Sequence, residues 1–411
     1  MKRTITFILY LLFIDILSAT TFHIGTRYPI KSIKEAVRLS SGNDSIIIHK
    51  GTYRENNIVI THPIIVIGIG APIIDGENKY ELFIISSKNV FIKGLHFKNS
   101  GCSALNDYAS IKIINSSNVS VIENQIDNAY FAIHVSNSNF CTIKNNIING
   151  LRKQEQTTGN GIHLWKCSNF LIEGNAITNH RDGIYFEFVT DSRIQKNSSE
   201  NNIRYGLHFM FSHNDEYYNN LFQNNGAGVA VMYSKNVMMK YNTFKYNWGA
   251  SSYGLLLKDI SDSYISSNIF SKNTVGIYME GSNRININKS SFQENGWAIK
   301  VQSNCDENKF HDNNFYGNTF DVSTNGYSSP NKFYNNYWDK YEGYDMNKDG
   351  IGDVPYHPVS LYSRIIENTP GTLFLLKSFV ILLLDTTEKS LPTLIPENLK
   401  DTRPLIKPLV I

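Results

Sequence analysis

Apolar and polar residues alternate along most of this chain, in a motif that returns at nearly constant spacing. Seven short segments open on Gly or Ala: Gly161-Ile-His-Leu, Gly183-Ile-Tyr-Phe, Gly206-Leu-His-Phe, Gly228-Val-Ala-Val, Gly254-Leu-Leu-Leu, Gly276-Ile-Tyr-Met and Ala298-Ile-Lys-Val. Their starts lie 22, 23, 22, 26, 22 and 22 residues apart. Alternation is the strand period, one side chain in two facing a core. No segment this short buries a core by itself, so successive repeats must stack, which is the logic of a solenoid. Less regular coils precede the set at Asn57-Ile-Val-Ile, Leu82-Phe-Ile-Ile, Ser110-Ile-Lys-Ile and Ala132-Ile-His-Val.

Each repeat holds a second alternating segment, such as Phe170-Leu-Ile-Glu, and then an Asn followed two residues later by an apolar side chain. Asn175, Asn197, Asn220, Asn242 and Asn268 recur at the coil period, Ser290 takes the next place and Asn313 resumes it. Stacked amides can donate and accept along the axis at a turn repeated in every coil. Three short strands and three turns per roughly 22 residues predict an all-β fold, a right-handed parallel β-helix. A leucine-rich repeat, the rival solenoid, lacks its Leu signature here.

The organisation follows. Residues 20–56 are the N-terminal cap and first strands, with helical spacing at Ile33, Ala36 and Val37 for a helix over 31–40 that closes the open end of the core. Residues 57–340 are the coils. Extra residues at 101–108, 151–160 and 249–253 predict loops that either gather on a binding face or are merely tolerated. Residues 341–368 form an Asp/Gly-rich turn region in which Asp345, Asn347, Asp349 and Asp353 stand at alternate or near-alternate positions. That spacing reads either as the first half of a calcium loop or as a hydrogen-bonded Asx turn; an EF-hand's distal Glu and helix pair are missing. In 369–411 an apolar run, Leu373 to Leu384, is too short for the roughly 20 residues of a bilayer span. With the Pro-rich stretch after it, it predicts a helix and a docking tail presenting Leu373, Phe374, Phe379, Pro396, Leu399, Pro404 and Leu405, the plain alternative being a frayed terminus.

Composition narrows the function classes. Among 411 residues the net charge is +3 and charged residues are 18%, with no Lys/Arg cluster, so nucleic acid is not an expected partner. Lys2 and Arg3, an apolar run from Ile5 to Leu17 and small residues after it read as a secretory signal over 1–19, with an uncleaved anchor as the alternative. The mature protein is expected outside the cytoplasm. Cys102, Cys141, Cys167 and Cys305 show no paired spacing; an exported compartment would tolerate a disulfide, but buried free thiols are the expected state.

Chemistry is expected on the outward positions of the Gly-led strands. In register, the first outward position runs Lys112, His134, His163, Tyr185, His208, Ala230, Leu256, Tyr278 and Lys300. The second runs Ile114, Ser136, Trp165, Glu187, Met210, Met232, Lys258, Glu280 and Gln302. At about 4.8 Å per coil, His163 and His208 stand roughly 10 Å apart. His208, Met210 and Met232 can converge, and imidazole with thioether favours Cu(I). The competing reading makes Met210, Met232, Leu256 and Trp165 the apolar seat of a loop. A polysaccharide-binding or -cleaving β-helix is the other class, but Asp182, Glu187 and Asp191 form no stack of carboxylates of the kind that chemistry needs.

Asn179-His-Arg-Asp-Gly-Ile-Tyr-Phe, Arg204-Tyr-Gly-Leu-His-Phe-Met-Phe-Ser-His213 and Ala227-Gly-Val-Ala-Val-Met-Tyr-Ser234 resemble the central coils of the NosD family. The turn ending Gly352-Asp-Val-Pro-Tyr356 and the tail from Pro396 through Pro404-Leu-Ile-Lys-Pro are similar to that family's C-terminal part. The resemblance implies a periplasmic, non-enzymatic protein held at the inner membrane by an ATP-binding-cassette transporter, made of a membrane subunit and an ATPase. It further implies work with a copper chaperone in delivering copper, or sulfur for the copper–sulfide centre, to apo nitrous oxide reductase. Copper is then handled transiently as Cu(I). The candidate ligand set, His208, Met210 and Met232 with His134, His163 and His213, stands on this chain's own pattern.

Overall fold

The computed structural model describes residues 19–103, 106–326, 330–376, 378–381, 383, 384 and 399–410. Three parallel sheets of 14, 13 and 12 strands run the length of the molecule, each coil giving one strand to each. The path is a right-handed parallel β-helix with coils of about 23 residues. The 12-stranded sheet carries the Gly-led segments and is the broad one: most of its strands span five or six residues, as in Asp182–Glu187 and Tyr205–Met210, against three in Arg193–Gln195 and Ser198–Glu200. Inside lie stacked columns of identical side chains. Phe222, Phe244, Phe270, Phe292 and Phe315 are fully buried, with ring centroids 4.7–5.5 Å apart.

The leading glycines are imposed by the stacking. A Cβ on Gly161, Gly183, Gly206, Gly254 or Gly276 would sit 2.5–2.7 Å from the backbone carbonyl of the equivalent residue one coil on. Corners need a different chemistry. At the turn between the two narrow sheets, the Asn197 N–H and side-chain amide both donate to Asn220 Oδ1 at 3.0 Å, and Asn220 repeats this toward Asn242. The amide also donates inward, Asn220 to the Ile194 carbonyl at 2.9 Å. A second ladder, unforeseen from the sequence, runs through Asn202, Asn225, Asn247, Asn273, Asn295 and Asn318 at the corner before the broad sheet. His180 opens it, its N–H donating to Asn202 Oδ1 at 3.0 Å.

Both ends are closed. Helix Ile33–Leu39 buries Ile33, Ala36 and Val37 over the first coils, and its N-terminus is held by Ser32 and by the Glu55 carboxylate, which accepts from the Ile33 and Lys34 N–H groups. At the other end Asp401 takes the place of the next Asn: its carboxylate accepts from the Asn336 N–H, the Asn336 amide and the Trp338 indole at 2.9–3.1 Å. Leu399 is buried, Pro404 is buried, and Leu405 bridges Tyr337 and Ile351. These three tail residues are therefore turned onto the protein's own last coil, while Pro396 lies outside the described residues, as does the signal region up to residue 18.

Before the tail, helix Leu361–Asn368 packs Tyr362 and Ile366 with Phe320 and Trp297 on the far half of the broad sheet, and Lys300 pairs with Glu367 at 2.9 Å. The chain then turns through Pro370–Leu375, leaving Phe374 82% and Phe379 71% exposed, with Leu373 at 41%. The Asp345–Asp353 loop is laced by its own hydrogen bonds. Asp345 accepts from the Asp349 and Gly350 N–H groups, Asn347 from Asp349, Asp349 from Ile351 and Asp353 from Met346. The four side chains thus serve first as turn acceptors.

Candidate functional site

The outer face of the broad sheet carries the candidate chemistry in three columns. Pairing sets His134 beside His163, His163 beside Tyr185, Tyr185 beside His208, and Met210 beside Met232, the register read from the repeat. Rings follow the register: His134 stacks on His163 with centroids 4.8 Å apart, His163 meets Tyr185 at 4.7 Å, and Tyr185 meets His208 edge-on at 5.0 Å. His208 and Met210 share one face of one strand. The Tyr185 hydroxyl donates to Glu187 at 3.2 Å and toward the Met210 sulfur at 3.7 Å.

All three insertions enter at one corner, between the second narrow sheet and the broad sheet. Two of them border the histidines. Asp107 brings a carboxylate oxygen to 3.9 Å from His134 Nε2, and Glu155 reaches Arg204 at 3.4 Å. Asn160 donates to His163 Nδ1 at 3.0 Å while accepting from Arg181 at 3.2 Å. A third column, Asp182 beside Tyr205, had no place in the alternating pattern. Asp182 is fully buried beneath Arg204 and His208.

Burial governs the electrostatics. Loss of water pushes His134 down to about 4 against the opposing pull of Asp107, and holds His163 well below its ordinary value. Both are neutral imidazoles in neutral solution, the state a metal ligand requires. Buried Cys141 and Cys167 are pushed up to about 11 and about 12 by the same cause, so they are poor thiolate donors. All four cysteines are free; Cys141, Cys167 and Cys305 are buried as expected, whereas Cys102, on the first insertion, is exposed.

The predicted ligands separate into groups. Nδ1 of His134 and Nε2 of His208 are buried without hydrogen-bond partners, yet three coils, roughly 14 Å, lie between them, so no single ion can join them. His163 has its Nδ1 engaged by Asn160. His213 sits past the strand end, paired with Thr190 and Lys235 in the corner, and its Nδ1 accepts from the Lys235 N–H at 3.2 Å. What remains together is His208, Met210 and Met232. A buried imidazole nitrogen with no partner beside two thioethers fits a soft monovalent ion better than a hard one. Among the described residues no three His, Cys, Asp or Glu side chains are arranged to hold a metal, so any site here depends on Met. Asp182 and Glu187 stand at opposite ends of one strand and Asp191 lies in the next corner, its carboxylate taken by Asn214; the three do not converge.

The family described as "Periplasmic copper-binding protein (NosD)" matches residues 149–348, the stretch that contains this face. A Pseudomonas aeruginosa protein named "Probable ABC transporter binding protein NosD" is 28% identical over 372 residues, covering 85% of this chain and 86% of its own. The chain is similar to the NosD family. A second NosD, from Stutzerimonas stutzeri and of the same name, is 25% identical over 360 residues, covering 82% of this chain and 80% of its own. Solved structures share only the coil architecture with this chain. The Dettilon tailspike protein aligns with a TM-score of 0.53 at 11% identity over 66% of this chain and 62% of its own. The Yersinia enterocolitica family 28 exopolygalacturonase aligns with a TM-score of 0.50 at 10% identity, over 79% of each chain. Likeness at that level carries the fold and nothing of the sugar chemistry.

Proposed function

We propose that this protein is an exported, non-catalytic copper-handling scaffold that works with an ATP-binding-cassette transporter and delivers copper, or sulfur for the copper–sulfide centre, to apo nitrous oxide reductase. The reading is supported by similarity to a family described as periplasmic and copper-binding, and by relatives named as transporter binding proteins. The observation that carries it is the unpartnered, buried Nε2 of His208 on the same face as Met210 and Met232. Copper is cargo here, received from a copper chaperone as Cu(I) and passed on. The exposed apolar residues Leu373, Phe374 and Phe379 are the contact to the transporter's membrane subunit, whose ATPase drives the cycle. The Asp345–Asp353 loop is kept as a calcium site only if the cation can replace the turn's own N–H donors.

Purified protein titrated with Cu(I) against a chromophoric competitor should take up about one equivalent. Changing Met210 and Met232 together to Ile keeps their volume and removes both sulfurs, and is expected to weaken binding at least tenfold. An unchanged affinity in that double variant removes the site from this face.

A further inference from the structure

Two buried polar atoms without partners belong to one pair of side chains: Nε2 of His208 and Oδ2 of Asp182. Exposure is 4% for His208 and 0% for Asp182, so water does not answer for either. Leaving such atoms unpaired disfavours the fold, because each has given up water for nothing. Around them the geometry is closely specified. Arg204 donates through Nη2 to His208 Nδ1 at 3.3 Å and reaches Asp182 Oδ1 through Nε at 3.4 Å. The Tyr205 N–H donates to the same Oδ1 at 3.3 Å. Asp182 Oδ2 is left facing His208 Nδ1 at 3.6 Å.

An Nδ1 that accepts from Arg204 leaves the ring proton on Nε2, where it meets nothing and masks the lone pair a metal needs. With the proton on Nδ1 instead, Arg204 has to turn away, the ring can close the 3.6 Å gap and donate to Asp182 Oδ2, and Nε2 is bared. The ring's proton count does not change: Asp182 Oδ2 gains a donor in that exchange of tautomer, and Nε2 becomes a free lone pair for Cu(I). Carboxylates behind metal-ligating imidazoles act in this way in many proteins, fixing the tautomer and raising the basicity of the ligand nitrogen.

We infer that Asp182 is the positioning residue of the metal face, holding His208 as the Nδ1–H tautomer when Cu(I) is bound, with Arg204 as the competing partner that holds the other tautomer when it is not. This rests on the reading of His208 as a copper ligand. Arg204 also pairs with Glu155, so occupation of Nδ1 by the guanidinium is tied to the position of the 151–160 insertion.

The test uses the full chain, Cu(I) and a bicinchoninate competitor on the wild type, D182N and H208Q. In D182N an amide of the same shape donates to Nδ1 and keeps the proton on Nε2. Cu(I) affinity is expected to fall about 10- to 100-fold, with the thermal melt confirming a folded variant. Long-range proton–nitrogen NMR on His208 is expected to show Nε2–H in the metal-free wild type and Nδ1–H once Cu(I) is added. Retention of Nε2–H in the loaded wild type overturns the inference even if D182N does not fold. D182N affinity within twofold of wild type, with H208Q strongly weakened, overturns the role of Asp182 and leaves the ligand reading standing. An H208Q variant that binds as wild type removes both.

Discussion

The Asn ladder allows a substitution whose cost can be worked out atom by atom. Asn220→Ala removes an acceptor that receives the Asn197 N–H and the Asn197 amide, both at 3.0 Å, and a donor to the Ile194 carbonyl and to Asn242, both at 2.9 Å. Asn242 keeps an acceptor role through the Asn220 backbone N–H at 3.0 Å, and the Asn197 amide still has the Ile172 and Gln195 carbonyls at 2.9 and 3.0 Å. The Asn197 N–H keeps nothing, in a corner where Asn197 and Asn220 are each 2% exposed. An orphaned buried donor costs about 1–3 kcal/mol and each lost bond about 1 kcal/mol, so roughly 3–5 kcal/mol is expected. Asn220→Ser should cost about half as much, because a hydroxyl oxygen can receive the N–H. The chain itself makes that exchange at Ser290, whose oxygen accepts the Asn268 N–H at 3.2 Å. Urea unfolding gives the overall difference, and native-state hydrogen exchange at the Asn197 amide locates it. Equal losses for Ala and Ser would mean that the orphaned donor is not the source of the cost.

Gly254→Ala places a Cβ 2.7 Å from the Gly276 carbonyl and 3.2 Å from Phe270, and should destabilise by about 1–3 kcal/mol as an overpacked core does; a change within 0.5 kcal/mol in urea melts would contradict the close-approach account. His180, fully buried and pushed down to about 4 by loss of water, stays neutral in the folded state while the unfolded chain takes up its proton near 6.5. Its contribution is therefore complete above pH 6.5 and lost as pH falls toward 4. Asn in its place continues the ladder of Asn202 and Asn225, so H180N should gain on the wild type over that window, by about 3 kcal/mol at most; a stability gap independent of pH would refute the assignment. Buried Asp215, Asp321 and Asp401, raised by burial, act in the opposite sense in both proteins, so they cancel in this comparison.

The repeat made the coil register legible because its period is fixed and the Gly-led strands alternate cleanly. His134, His163, Tyr185 and His208 could be placed in one column for that reason, and Met210 beside Met232. Three things escaped. Asp182 and Tyr205 stand just before the glycines, where the chain leaves the corner: a Cβ on Gly183 would meet Ser199 and Asn202 of the core wall, so parity no longer reports which way a side chain points. Asn225, Asn247, Asn273, Asn295 and Asn318 recur at the coil period, each three residues after a core Phe, a signal that could have found the second ladder; Asn202, with Ser199 in the Phe place, lacks it. Asp401 completes a ladder from 65 residues beyond Asn336, a distance no periodic reading spans. Conversely, His163 was placed by register and His213 by residue type, and only their hydrogen bonds to Asn160 and Lys235 show how their lone pairs are engaged.

That distant last rung bears on the order of assembly. From Asn146 onward the rungs join residues 22 to 29 apart, so coils can zip up along the chain with short closures. Asp401 must instead return across 65 residues, including the helix at Leu361–Asn368, before it can seat on Asn336. Closure entropy makes it the late event. Until it happens the Lys332–Tyr334 and Tyr337–Trp338 strands keep unpaired edges beside an unfilled Asn corner, backbone on which another strand can pair. The carboxylate that ends the stack thus also guards those edges, and chains delayed at that step are the ones expected to associate through them.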